Sequence, residues 1–179
     1  MGSRNYSRIG VDHIEKIDAR QLEKNIVHSS GCFRCPVQCK AELKLYGKEG
    51  DKLFTRPEFE PVINLGPKCG LDDLNQIIKL DNLCGRLGMD STSAATVMAF
   101  AMDLFEREIL AGDLAGELDL SWGNAETMET LLHQMVENKG LGKILRLGVR
   151  EAAALIGNGA SKYAAHVKGL EMTAYHPTA

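Results

Sequence analysis

Residues 91–105 read Ser91-Thr92-Ser93-Ala94-Ala95-Thr96-Val97-Met98-Ala99-Phe100-Ala101-Met102-Asp103-Leu104-Phe105. A helix over this stretch is apolar nearly all round, through Ala95, Val97, Met98, Ala99, Phe100, Ala101, Leu104 and Phe105, and so belongs at the centre of a core. Its alanines let neighbouring backbones approach closely. The most apolar part, Ala94 to Met102, is far too short to span a bilayer.

On the N-terminal side of this helix, Leu74, Ile77, Leu80, Cys84 and Leu87 recur at helical spacing, with Asp72 as the expected cap and Gly88 as the stop. On its C-terminal side, residues 111–122 read as a loop. Asn124 then caps a helix that turns Met128, Leu131, Leu132, Met135 and Val136 inward and stops at Gly140. A further helix is expected from about Lys143 to Ile156, closed by Gly157-Asn158-Gly159. A short turn over 160–165 leads to an extended tail from His166 to Ala179.

The first seventy residues have a different character. Residues 1–11 lack periodicity and are expected to form an arm lying on the rest. Asp18 and Gln21 have capping-box spacing, which opens a short helix through Ile26. From Ala41 to Tyr46 apolar and polar residues alternate, and Gly47-Lys48-Glu49-Gly50 supplies a turn before Leu53-Phe54, the one hairpin the pattern suggests. Pro57, Pro61 and Pro67 mark a junction. The expectation is a mainly α fold: a compact, bundle-like helical domain over 71–179, packed as one unit with a segment over 1–70 that carries a small hairpin beside a cysteine loop.

A net charge of -3 argues against nucleic-acid backbone binding as the main task, and no basic run reverses it. No apolar leader follows Met1, and nothing calls for membrane insertion. The five cysteines are odd in number and three are clustered, which suits a reducing, cytoplasmic setting better than a disulfide framework.

Those three lie in Gly31-Cys32-Phe33-Arg34-Cys35-Pro36-Val37-Gln38-Cys39-Lys40. Thiols at Cys-x2-Cys-x3-Cys spacing gain from convergence at a metal centre; coincidental packing is the bland alternative. Zinc would want a second Cys or His pair, but His133, His166 and His176 are isolated, so an iron–sulfur cluster is favoured. It needs a fourth ligand. Cys69 and Cys84 are the internal candidates, each beside helical apolar residues where a thiol is commonly a small core group.

The cysteine stretch closely resembles the cluster loop of the aldehyde ferredoxin oxidoreductase family, enzymes with a tungsten (or molybdenum) bis-pterin. The similarity continues at Arg56-Pro57-Glu58-Phe59-Glu60 and at Leu83-Cys84-Gly85-Arg86-Leu87-Gly88-Met89-Asp90-Ser91-Thr92-Ser93. It persists in Trp122-Gly123-Asn124, Gly140-Leu141-Gly142 and His166-Val167-Lys168-Gly169-Leu170-Glu171-Met172, in one order over nearly the whole chain. The resemblance implies that Cys32, Cys35 and Cys39 are three of the four ligands of a [4Fe–4S] cluster. That cluster would lie near the pterin and exchange electrons with ferredoxin or another redox protein.

It further implies that Glu60 lies near the tungsten, where a carboxylate could move protons as an aldehyde is oxidised to a carboxylate or an acyl group or thioester is reduced. Asp90 matches an acidic pterin contact. Without the resemblance, Glu60 is a solvated or helix-start carboxylate and Asp90 a helix cap beside Ser91. There are departures. Gly85 stands where the pterin motif usually begins with Asp, Met89 replaces Leu, and His176 and Thr178 replace Asp and Arg, which suggests a divergent subfamily.

Family members also carry a β-rich N-terminal domain and continue past the tail, where the fourth cluster cysteine lies. The chain therefore reads as a middle piece, to be joined to remaining domains or subunits and inactive alone. Three functions stay open: a segment of a tungstopterin oxidoreductase; a standalone iron–sulfur electron-transfer or interaction module, using Cys69 or a three-cysteine [3Fe–4S] form; or a non-catalytic remnant with empty thiols.

Overall fold

The computed structural model describes residues 2–45, 52–110 and 112–175. In chain order its elements are β1 (Gly2–Ser3), β2 (Arg8–Ile9), α1 (Ala19–Glu23), β3 (Ile26–Ser30), β4 (Lys40–Leu45), β5 (Lys52–Thr55), α2 (Phe59–Leu65), α3 (Leu74–Leu87) and α4 (Ser91–Glu106). There follow α5 (Gly112–Ala115), α6 (Ala125–Glu137), α7 (Gly142–Leu145), α8 (Val149–Ile156), β6 (His166–Val167) and β7 (Leu170–Glu171). The fold is mainly α with small antiparallel sheets, as the periodicity predicts.

Helix α4 is the central element: every residue from Ala94 to Leu104 is buried. Two of these are polar, and each has partners. The Thr96 hydroxyl donates to the Thr92 carbonyl at 2.8 Å. The Asp103 carboxylate accepts from Arg107 Nε at 2.7 Å and from Asn5 Nδ2 at 3.0 Å, which offsets the cost of burying a charge. One hydrophobic cluster joins α4 to Leu43 and Leu45 of β4, Ile77 and Ile78 of α3, and Leu131 and Leu132 of α6. No helix among the described residues is long and apolar enough to cross a membrane.

The expected caps at Asp18 and Asn124 form: Asp18 accepts from the Gln21 N–H and Asn124 from the Thr127 N–H. Gly88 ends α3 in the left-handed conformation. The cap of α3, however, is Asp73. It has the extended backbone a cap requires and accepts from the N–H groups of Asn75 and Gln76, whereas Asp72 turns to Lys16.

Three further differences have physical causes. Residues 59–65 are helical rather than a junction, because Pro61 falls in the first turn, where a missing N–H costs nothing; Pro67 likewise opens a 3-10 turn over Pro67–Cys69. The helix expected over 143–156 is split into α7 and α8 at Gly148, which is left-handed (φ 85°), and the Glu171 carboxylate caps the new start at Val149 N–H. The short helix expected through Ile26 stops at Glu23, and the following residues add a third strand, giving the sheet order β3-β4-β5. Residues 112–115, expected as loop, make one helical turn, and the extended tail folds back as the β6–β7 hairpin.

The alternation in β4 does what it predicts: Ala41, Leu43 and Leu45 are buried while Lys40 and Glu42 are exposed. The turn at Gly47–Gly50 and the residues His176–Thr178 lie outside the described residues. The sheet is fastened to α3 by a two-way bond: Thr55 N–H donates to Asn82 Oδ1 and Asn82 Nδ2 donates to the Thr55 carbonyl, both at 2.8 Å. The arm over residues 2–9 lies on the rest, with Arg4 and Asn5 N–H groups bonded to the Pro67 and Lys68 carbonyls at 3.0 Å. Arg4, Asn5 and Tyr6 are all left-handed to make that contact.

Gly142 shows how tightly α6 and α7 cross, since a Cβ there would lie 2.4 Å from backbone atoms of Gln134 and Met135. Gly85, inside α3, has nothing within 4 Å. Gly142→Ala is expected to lower the unfolding free energy by about 1–3 kcal/mol or more, whereas Gly85→Ala should raise it by about 0.5–1 kcal/mol; urea midpoints of the two variants check both signs.

Candidate active site and cysteine loop

Glu60 is the second residue of α2 and is partly buried. Its Oε2 accepts two hydrogen bonds, from Asn64 Nδ2 at 2.9 Å and from the Ala174 N–H at 2.8 Å. Asn64, one turn along, is fully buried, and its Nδ2 also donates to the Glu60 carbonyl at 2.8 Å. The same nitrogen lies 3.5 Å from Thr92 Oγ1 at the start of α4. Asn64 Oδ1, by contrast, is a buried acceptor without a partner. An orphaned acceptor next to a fixed carboxylate suits a polar group that the protein alone does not supply.

Asp90 is the cap of α4, its Oδ1 accepting from Thr92 N–H at 2.7 Å and more weakly from Ser93 N–H at 3.4 Å. The cap reading of the sequence is thus correct as to what Asp90 does inside the chain. Thr92 therefore links the two acidic residues: its N–H binds Asp90, and its side chain lies against the Asn64 that binds Glu60. Asp90 also lines a groove of about 350 Å3 together with Ser93, Arg146, Leu147, Gly169 and Glu171. The groove draws together two of the segments that carry the family resemblance, 83–93 and 166–172, which sequence order leaves far apart.

The cysteine loop stands elsewhere, as the connection between β3 and β4. Its two ends meet, because a Cβ on Gly31 would lie 3.1 Å from Gln38 Cα. The Cys35 N–H bonds to the Cys32 carbonyl at 2.9 Å, and Arg34 and Gln38 are left-handed. Cys32 and Cys39 are exposed, Cys35 is partly so, and none is in a disulfide. Among the described residues no three His, Cys, Asp or Glu side chains converge closely enough to hold a metal ion. The loop takes no part in the Glu60–Asp90 network. As a donor set, three accessible thiols on one short loop fit an iron–sulfur cluster.

The internal thiols are of another kind. Cys69 is fully buried, with its Sγ 3.4 Å from the carbonyls of both Asn64 and Ala95, and burial pushes its thiol up to about 12. Burial does the same to Cys84, also to about 12. Both are core groups, so Cys69 is in no position to complete a cluster on the loop.

Around Glu60 the structure adds residues that no motif announces. Lys68 is fully buried, and burial pushes its ammonium down to about 8 although Cys69, Glu60 and Glu171 act in the opposite sense. Burial, reinforced by Glu60, pushes the Tyr6 phenol up. These residues meet the tail at separations above 100 positions, beyond the reach of periodicity or local spacing.

The family described as "Aldehyde ferredoxin oxidoreductase, domains 2 & 3" matches residues 1–179. The WOR-like subunit of an aliphatic sulfonate oxidoreductase from Pyrococcus furiosus is 34% identical over 148 residues, which cover 80% of this chain and 24% of that protein. A tungsten-containing aldehyde ferredoxin oxidoreductase from Thermococcus kodakarensis is 29% identical over 180 residues, covering 98% of this chain and 28% of its own. Among solved structures, the active site complex BamBC of benzoyl coenzyme A reductase with 1,5 dienoyl-CoA superposes with a TM-score of 0.78 at 28% identity. That match covers 97% of this chain and 26% of the other. The chain spans about a quarter of the length of these proteins.

Two outcomes are expected from this geometry. A thiol reagent at pH 8 should label Cys32, Cys35 and Cys39 in the native chain and reach Cys69 and Cys84 only after denaturation, as peptide mapping would show. For Lys68, the unfolded chain keeps the proton up to the ordinary lysine value of 10.5, while the folded chain gives it up near 8. Stability of the wild type relative to Lys68→Met should therefore rise as pH increases through 8 towards 10, measured by urea unfolding at each pH.

Proposed function

This chain belongs to the aldehyde ferredoxin oxidoreductase family, and on that premise we propose that it is the helical, cluster-bearing segment of a tungsten (or molybdenum) bis-pterin oxidoreductase. The observation that carries the reading is the joining of Glu60 and Asp90, at the starts of two packed helices, through Asn64 and Thr92. The proposed reaction is oxidation of an aldehyde to a carboxylate, or the related reduction of an acyl group or thioester. When bound, the metal–pterin supplies the two-electron chemistry and the [4Fe–4S] cluster the one-electron path to ferredoxin or another redox protein.

The chain's own residues divide the remaining work. Glu60 Oε2 is fixed by two N–H donors, so the proton released as the hydrated carbonyl carbon is oxidised is taken up at Oε1. Asn64 holds that carboxylate and offers its unpartnered Oδ1 to a bound polar group. Asp90, with Ser93, Arg146 and Glu171 around the same groove, offers the mixture of acceptors, hydroxyl and guanidinium that a pterin ring and its phosphate require. Gly85 leaves open space where the pterin motif usually has a carboxylate, so one contact of that set is made differently. Cys32, Cys35 and Cys39 supply three thiolates of the cluster, and the fourth ligand comes from elsewhere in the complete enzyme, since Cys69 and Cys84 are core thiols.

In the complete enzyme, Glu60→Gln should lower kcat by about 10²–10⁴ while the electron paramagnetic resonance signal of the reduced cluster persists. Cys35→Ser should abolish that signal and lower the iron and sulfide content. Full turnover in Glu60→Gln would remove Glu60 from the reaction, and an unchanged cluster signal in Cys35→Ser would remove the loop as its holder.

A further inference from the structure

Lys68 lies on the turn between α2 and α3, with none of its side chain exposed. A buried ammonium persists only where its protons find acceptors. Here they are three neutral oxygens: the Met172 carbonyl at 2.8 Å, the Thr173 carbonyl at 3.3 Å and Thr96 Oγ1 at 3.2 Å. Thr96 gives its own proton to Thr92, which leaves its lone pairs for Lys68. The Tyr6 ring covers the nitrogen at 4.6 Å, a cation–π contact.

The two carbonyls are consecutive, and the next peptide N–H, that of the buried Ala174, is the one that binds Glu60 Oε2 at 2.8 Å. Strand β7 ends at Glu171, and the bonds of the following segment go to side chains instead of a ladder. Lys68 and the Tyr6 hydroxyl take the carbonyls, and Glu60 takes the amide. Past Ala174 the chain carries Tyr175, whose ring centroid is 6.1 Å from that of Phe59, the neighbour of Glu60. The segment and the start of α2 thus form one wall, and the ammonium is the fastening behind it.

We propose that Lys68 is a positioning residue for Glu60: by holding the Met172 and Thr173 carbonyls it sets the Ala174 N–H that orients the Glu60 carboxylate. An apolar side chain of the same size would fill the space and leave those carbonyls to the Tyr6 hydroxyl and a long 3.5 Å contact from Thr96 Oγ1, so the amide would lose its fixed direction. The functional half of this inference rests on the reading of Glu60 as the proton-transfer group. The structural half does not.

The test has two arms. In the 179-residue chain, residue-resolved hydrogen exchange at pH 7 should show the Ala174 amide of Lys68→Met exchanging at least about tenfold faster than in wild type, with α4 amides keeping their protection. In the complete enzyme the same variant should lose about tenfold in kcat with KM within about twofold, the signature of a displaced reacting group. Unchanged exchange at Ala174 in a variant with native α4 protection would overturn the proposal, whatever Glu60 does. If Ala174 responds but Glu60→Gln keeps full turnover, the positioning stands and the reading of Glu60 falls. Should Lys68→Met fail to fold, Lys68→Gln, which retains a neutral donor, is put to the same exchange measurement with the same two outcomes.

Discussion

Enclosure of α4 on every side is the constraint from which the rest of the structure follows. A helix buried without interruption from Ala94 to Leu104 presents no face to water, so each neighbour must provide a wall. Helices α2, α3, α6 and α8 do this with apolar stripes, and the glycine at the crossing of α6 and α7 lets one backbone rest on another. The walls that remain come from the arm and the tail, neither of which has a stripe to offer. They are attached by polar side chains instead. Asp103 takes hold of Asn5, and Thr96, through Lys68, takes hold of residues 172 and 173. Two polar residues inside the otherwise apolar stretch from Ala94 to Leu104 are thus where the ends of the described chain are fastened.

Much of this was legible in the residues, wherever the controlling physics is local. The stripe of α3, the caps at Asp18, Asn124 and Gly88, and the alternation in β4 are all decided within a few positions, and all appear as expected. The failures are instructive for the opposite reason. Pro61 and Pro67 look like breakers, yet a proline in a first turn is a beginning, and only the position of the turn tells the two apart. Asp72 and Asp73 are equally good caps on paper; the choice is made by Lys16, which lies 56 positions away. Strand β3 was hidden because Ile26 to Ser30 has no alternation of its own and pairs only because β4 is there.

The candidate site divides along the same line. The three loop cysteines declare themselves by spacing, and Glu60 and Asp90 by their resemblance to family segments. The environment that makes Glu60 a defined group does not declare itself. Asn64 is one helical turn away and could have been suspected from an i, i+4 pairing, but Tyr6, Lys68 and Ala174 meet only in three dimensions. Cys69 taught the same lesson in reverse. Its place in the sequence left it a plausible ligand, and its burial between two carbonyls makes it part of the core.

The bond between Glu60 and Ala174 spans 114 positions, and this has a bearing on biosynthesis. A chain leaving the ribosome presents its N-terminal end first, and α2 can form as soon as α3 and α4 are available to pack on it. The carboxylate of Glu60 nevertheless waits for residues 172–174 to emerge before its second donor arrives. Until then the stripes of α3 and α4 can collapse together while the acidic centre stays wet and unaligned. Assembly of the helical core and completion of the Glu60 setting are therefore successive events, the second timed by the emergence of residues 172–174.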